Sequence, residues 1–212
     1  MKKSKGESLR LEFPHKKIYL VRHGETEWTL SGKHTGITDI PLTKNGEEEA
    51  AHLCKRLKGY AFQTVLSSPL QRAYRTCEIS GFSKQARLDP DLTEWNYGQF
   101  EGLTTEEIWK QQPHWNLFTN GAPNGENLAD INVRTARVLS KIQSLRGDVL
   151  LFSHGHFLRT LAAKWLQLPI QDGKLLALFP ASVSILGFER NNHVLTLWND
   201  VSHLKTHGDA TH

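Results

Sequence analysis

The sequence predicts an α/β protein with a mostly parallel central sheet and helices on both faces. Two observations carry that prediction. Short, wholly apolar runs, Ile18-Tyr19-Leu20-Val21 and Val149-Leu150-Leu151-Phe152, have the continuous hydrophobicity of strands buried on both sides. They alternate with stretches whose apolar residues recur at helical spacing, the pattern of a parallel sheet closed by crossover helices. The 212 residues are 38% hydrophobic and include nine Phe, enough for one well-filled domain, placed here at 17–202.

The first strand breaks off at Arg22-His23-Gly24. Residues 25–36 are polar and small without a lasting period, and read as a loop able to fold over a ligand. Thr43 is an N-cap followed by acidic residues in the first turns; Ala50, Leu53, Cys54 and Leu57 mark the inner face of its helix, which Gly59 closes. Thr64 to Pro69 is a second short strand and turn. Pro69 opens a helix over Leu70 to Ser80, with Arg72 in its first turn.

Asp91 to Gly102 is glycine-punctuated and aromatic, an ordered loop. Thr104 or Thr105 caps a short helix to about Gln111, and Pro113 to Gly125 reads as connecting loop. Leu128, Ile131, Thr135, Val138, Leu139, Ile142 and Leu145 form one face of a long helix, with Arg134, Arg137 and Lys141 on its exposed side. The strand over 148–153 repeats the opening pattern, ending at Ser153-His154-Gly155-His156. A helix follows with Leu158, Leu161, Ala162, Trp165 and Leu166 inward. Ser182 to Phe188 and His193 to Trp198 alternate around a polar turn, a β-hairpin expected at a sheet edge.

Charge and cysteine content narrow the function classes. The formal net charge is +4 and the pI about 9.1. Six cations against Glu7 and Glu12 within the first 17 residues account for that whole surplus, so the body is formally neutral. Residues 1–16 are expected to be a flexible basic arm rather than a nucleic-acid surface, and residues 203–212 a polar tail. No stretch has the length of a membrane span or the apolar core of a signal peptide, so a cytoplasmic protein without nucleic-acid or membrane partners is expected. Cys54 and Cys77 lack partners at metal-ligand spacing and read as packing residues. A homo-oligomer is compatible with the sequence.

In parallel sheets ligands bind at the carboxyl ends of strands, where Arg22, His23, Arg72 and His154 all fall. Two imidazoles and two guanidinium groups suit the grip of a phosphoryl group. His23 reads as the nucleophile of a phosphohistidine route, Arg22 and Arg72 as bidentate donors, cationic His154 as a neutraliser of transition-state charge, and Glu94 as the acid for the departing alkoxide. His154 and His156 have no Asp or Glu nearby to complete a metal site.

Arg22-His23-Gly24-Glu25-Thr26-Glu27-Trp28, Ser68-Pro69-Leu70-Gln71-Arg72-Ala73, Glu94 with Tyr97-Gly98 and Glu101-Gly102, and Ser153-His154-Gly155-His156 occur in that order. Together they resemble the successive motifs of the histidine phosphatase superfamily. The resemblance runs from about Ile18 to Trp165 and implies a three-layer phosphoglycerate mutase-like fold. It also implies His23 as phospho-acceptor, Glu94 as proton donor, a phosphate pocket of Arg22, Arg72 and His154, and no metal or other cofactor.

Mutases of that family carry Arg after the catalytic Glu, a nearby Lys and a later Arg pair. Here Trp95 and Thr104-Thr105 stand at the first two places, and residues 103–133 contain no Arg, which favours hydrolysis. In motif detail the chain is most similar to sugar bisphosphatases of the sedoheptulose-bisphosphatase type. The partner implied is a small phosphorylated molecule, a sugar phosphate or bisphosphate, with Thr29, Thr35, Gly36, Trp95, Tyr97, Arg134, Gly155 and His156 as candidate substrate contacts. Alternatives are a phosphoglycerate mutase, a phosphatase for phosphoserine or a nucleotide-derived ester, and a non-catalytic phosphate-dependent binding module.

Overall fold

A computed structural model describes residues 16–204. Residues 1–15 and 205–212, hence nearly all of the expected basic arm and most of the expected tail, lie outside the described residues. In chain order the elements are β1 (Ile18–Arg22), α1 (Glu27–Ser31), α2 (Lys44–Arg56), β2 (Thr64–Ser67), α3 (Gln71–Ile79) and β3 (Ala86–Leu88). There follow α4 (Thr105–Gln111), α5 (Leu117–Asn120), α6 (Leu128–Ser144), β4 (Val149–Ser153), α7 (Gly155–Trp165), β5 (Val183–Glu189) and β6 (Asn192–Asp200).

The six strands form one sheet in the order β3-β2-β4-β1-β5-β6. The first four of these neighbours run parallel, and the hairpin β5-β6 adds an antiparallel edge, as its alternation predicts. Side chains of one strand point to alternate faces, which separates the core in two. Ile18, Leu20, Leu66, Val149 and Leu151 pack with α6 and α7, whereas Tyr19, Val21, Val65, Leu150 and Phe152 meet Leu53 of α2, Leu57 just past its end, and Cys77 of α3. Helices therefore cover both faces, a three-layer α/β fold. Among the described residues no helix is long and apolar enough to cross a membrane.

Several expectations are corrected. Part of the polar loop over 25–36 is the helix α1, because Thr26 and Thr29 form a reciprocal capping box: each hydroxyl accepts the other's backbone N–H. Part of the loop over 113–125 is α5, started by the Asn116 side chain and burying Leu117 and Phe118. The three-residue edge strand β3 is too short to show a period. α2 ends at Arg56, ahead of Gly59. Cys54 is exposed, and only Cys77 is a packing residue.

Residues flanking the expected 17–202 domain contact it at both ends. Lys16, assigned to the flexible arm, donates its ammonium to the carbonyls of Ile142 and Leu145 at the end of α6. His203, assigned to the tail, accepts at its carbonyl from His52 Nδ1–H at 2.8 Å and donates its ring Nε2–H to the Ala181 carbonyl at 3.0 Å.

Candidate active site

The register of the parallel strands brings the site together. Arg22 pairs with Ser153, and Ser67 with Phe152. His23, Ser68 and His154 are thus the first residues beyond three neighbouring strand ends. The His23 backbone is held on both sides, its N–H by the Ser153 carbonyl and its carbonyl by the Ala181 N–H, each at 3.0 Å.

The His23 ring is oriented by a single bond. Its Nδ1 lies 2.7 Å from the Gly24 carbonyl, which can only accept, so Nδ1 carries the proton and Nε2 keeps its lone pair. Burial, then the neighbouring charges of Arg72 and Arg22, hold the imidazole well below its ordinary pKa. His23 is a neutral ring with a free basic nitrogen, the state a nucleophile requires.

His154 stands beside it, with ring centroids 5.2 Å apart. Arg72 Nε donates to His154 Nδ1 at 3.1 Å, which leaves the His154 proton on Nε2, 2.8 Å from Ser68 Oγ. Burial and Arg72 push the ring well below its usual pKa. The expected cationic His154 is therefore corrected to a neutral donor, because an arginine cannot donate to a nitrogen that already bears hydrogen. Arg72 itself is completely buried and further donates to the carbonyls of Thr38 (2.9 Å) and Gly36 (2.7 Å).

Arg22 reaches the Leu178 carbonyl through Nη1, while its Nε is buried without a partner among the described residues. Gly155 gives it room: a Cβ there would lie 3.2 Å from the guanidinium carbon. Glu94 is 5% exposed and accepts three backbone N–H groups, from Trp95 (2.8 Å), His156 (2.9 Å) and Phe157 (2.8 Å). The last two belong to the first turn of α7, so Glu94 caps that helix at the positive end of its dipole.

A cavity of about 190 Å³ opens on Arg22, His23 and Glu94. Of the expected substrate contacts, Thr29, Thr35, Tyr97 and His156 line it. The Thr29 hydroxyl is committed to the capping box of α1, donating to the Thr26 carbonyl at 2.8 Å. Trp28, Gly32, Lys33 and His34 also line the cavity. Nothing in the sequence singles out His34 and Lys33, which lie in a polar stretch with no motif of their own. His34 stacks on Tyr97 with centroids 4.9 Å apart, and burial lowers its pKa to about 4.

The other four expected contacts lie outside the cavity lining. Gly36 donates its N–H to Glu101 Oε1 at 2.7 Å, and a Cβ there would meet the Trp95 carbonyl at 2.6 Å. Trp95 is a core residue, edge-on to Phe118. Gly155 packs under Arg22. Arg134, expected on the exposed side of its helix, is 7% exposed. It makes a two-pronged pair with Glu126 (2.8 and 2.6 Å) and donates to the carbonyls of Asp91, Thr93 and Glu94. Glu126 in turn accepts the Asn96 N–H at 3.0 Å. Arg134 is thus the brace of the loop that presents Glu94, drawn inward by the carbonyls of a loop that sequence order leaves distant.

Comparison with known proteins matches residues 18–201 to the family model of the histidine phosphatase superfamily (branch 1). An acid phosphatase of Mycobacterium tuberculosis is 37% identical over 192 residues, covering 88% of this chain and 94% of that protein. The sedoheptulose 1,7-bisphosphatase of Saccharomyces cerevisiae is 35% identical over 185 residues, covering 72% and 68%. A solved structure of an open reading frame product of Mycobacterium tuberculosis superposes with a TM-score of 0.83 at 35% identity, over 87% of this chain and 97% of that one.

Proposed function

The chain belongs to the histidine phosphatase superfamily and is a phosphatase, and from that premise we propose that it hydrolyses a small sugar phosphate or bisphosphate, without a metal, through a phosphohistidine on His23. The observation that carries the reading is the His23 ring: neutral, proton-locked on the Gly24 carbonyl, with Nε2 free beside Arg22 and Glu94 in one cavity.

In the first step Nε2 forms a bond to phosphorus as the ester P–O bond breaks. The charge left on the imidazolium is met by the Gly24 carbonyl at Nδ1–H, and Glu94 gives its proton to the departing alkoxide. Water then attacks the phosphorus with Glu94 taking its proton. The N–P bond breaks, and neutral His23 and inorganic phosphate result. Arg22, with a buried Nε otherwise unpaired, gains the acceptor it lacks when a phosphoryl oxygen arrives, which offsets roughly 1–3 kcal/mol of lost hydrogen bonding. His154 adds an uncharged Nε2–H once Ser68 gives up its place, and Arg72 fixes the tautomer that makes this possible.

Hydrolysis is preferred to phosphoryl transfer between sugar-acid positions because a mutase must hold a second anionic group. Among the described residues, the one other cationic side chain lining the cavity is the exposed Lys33. The similarity to a sedoheptulose bisphosphatase and the hydroxyl- and imidazole-lined wall support a polyol substrate, and a cytoplasmic enzyme of one domain over 17–202 fits such a metabolite. The test is phosphate release from a panel of sugar mono- and bisphosphates, phosphoserine, phosphoglycerates and nucleotides with chelator present. Strong turnover of a sugar phosphate that disappears in His23→Ala is expected; turnover that chelator abolishes, or that survives the substitution, overturns the reading.

A further inference from the structure

The wall of the cavity next to Glu94 contains a donor whose protonation is dictated by a buried neighbour. Tyr97 is 1% exposed, and its hydroxyl makes one hydrogen bond, at 2.6 Å, to His156 Nδ1. A buried phenol retains its proton, and a buried O–H requires an acceptor. The Nδ1 lone pair is the acceptor present, so Tyr97 donates and the neutral His156 ring must carry its own proton on Nε2. Burial together with the charges of Arg159 and Arg22 keeps that ring neutral. Nε2 has no partner among the described residues and is not sealed from solvent, on a residue that lines the cavity.

The position of this N–H matters as much as its existence. The His156 backbone N–H donates to Glu94 Oε2 at 2.9 Å, and the His156 ring nitrogen Nδ1 stands 4.0 Å from the same oxygen. The ring and the proposed acid therefore face the same stretch of substrate. Oxygens on adjacent carbons are the pair of groups that an acid and a neighbouring N–H can address together.

Resting on the hydrolytic reading above, we propose that Tyr97 and His156 form a specificity device, in which the Nε2–H of His156 donates to an oxygen on the carbon adjacent to the ester-bearing one. The enzyme is then selective for phosphomonoesters with a vicinal hydroxyl, as in polyol and sugar phosphates. An ester whose adjacent carbon bears an ammonium, as in phosphoserine, presents a donor to a donor and is rejected. Tyr97 is a positioning residue that acts through the His156 tautomer.

The experiment compares kcat/KM for propane-1,2-diol 1-phosphate and n-propyl phosphate, which differ only in the adjacent hydroxyl. A preference of about 10- to 100-fold for the hydroxylated ester is expected of the unaltered protein, the scale of one well-placed hydrogen bond that the other ester cannot accept. Tyr97→Phe releases the tautomer, and the preference should fall to within about threefold. His156→Gln, whose amide replaces the N–H, should keep most of it, whereas His156→Leu should lose it. Nitrogen-15 shifts of the unaltered protein should show His156 protonated at Nε2 and bare at Nδ1, a readout that needs no variant to fold. Protonation at Nδ1, an unaltered protein without the preference, or equal ratios in the unaltered protein and Tyr97→Phe would each overturn the proposal. Hydrolysis of p-nitrophenyl phosphate separates the two readings: no aryl turnover sinks the hydrolytic reading and this one with it, while aryl turnover without a vicinal preference sinks only this one.

Discussion

His23 and Tyr97 face one cavity but are held by different kinds of structure. His23 follows a strand in the centre of the sheet, with its backbone bonded to two neighbouring segments and its ring to its own chain one residue on. Tyr97 and Glu94 come from a loop without regular strands, whose shape depends on Arg134 from α6 and on Glu126 just ahead of it. Sheet geometry positions the nucleophile end, where chain connectivity leaves little freedom. Long-range side-chain bonds position the leaving-group end, where a single residue can be removed without touching the sheet.

The contrast can be broken most sharply at the nucleophile. His23→Ala should reduce phosphate release by at least about 10⁴-fold with little change in thermal stability, since it removes the imidazole that follows β1 and faces the cavity with Arg22 and Glu94. Retention of a phosphorylated intermediate in that variant, detectable by phosphorus NMR under alkaline conditions, would move the role elsewhere. At the opposite end, Glu94→Gln should slow alkyl phosphates by about 10²–10⁴-fold but aryl phosphates by less than about tenfold, because an aryl leaving group needs little protonation. Equal losses on both ester types would mean that Glu94 holds α7 and does not act as the acid.

The dependence of the loop on its brace predicts a third, smaller effect. Arg134→Ala leaves the largely buried Glu126 carboxylate without its partner and should cost about 3 kcal/mol, read as a drop in urea midpoint. Activity should fall with it, because the carbonyls of Thr93 and Glu94 lose their donor. An unchanged midpoint would show that the loop stands without α6, and the distinction between the two regions would weaken.

The smallest effect expected is on acid stability. Unfolded imidazoles take up protons as pH falls below about 6.5, whereas His23 and His154, with folded pKa values held well below that, stay neutral. The unfolded state therefore binds more protons, and the stability these rings contribute above pH 6.5 is progressively lost as pH falls toward their folded values, by up to about 1.4 kcal/mol per pH unit for each ring. Urea midpoints at pH 7 and 5.5 measure this. A flat profile would mean that both rings titrate like exposed ones.

The legibility of the sequence follows the same division. Long apolar runs and caps exposed β1, β2, β4, the hairpin, α2, α6 and α7, and the strand-tip residues Arg22, His23 and His154 could be placed because a parallel sheet aligns its carboxyl ends. α1, α5 and β3 are five, four and three residues long, shorter than any periodic signal, and α1 exists through a reciprocal threonine cap. Arg134 reads as exposed in the sequence because its partners Asp91, Thr93 and Glu94 are some forty residues away.

Residue order alone determined the layered α/β plan and the gathering of two imidazoles and two arginines at one sheet edge, because both follow from local periodicity and the direction of strands. The tertiary structure decided the protonation of those groups. Arg72 makes His154 neutral, the Gly24 carbonyl frees His23 Nε2, and Tyr97 fixes the His156 proton. Each of these rests on a hydrogen bond whose direction depends on which atoms burial brings within 3.1 Å, and the Arg72 and Tyr97 contacts join residues far apart in the chain.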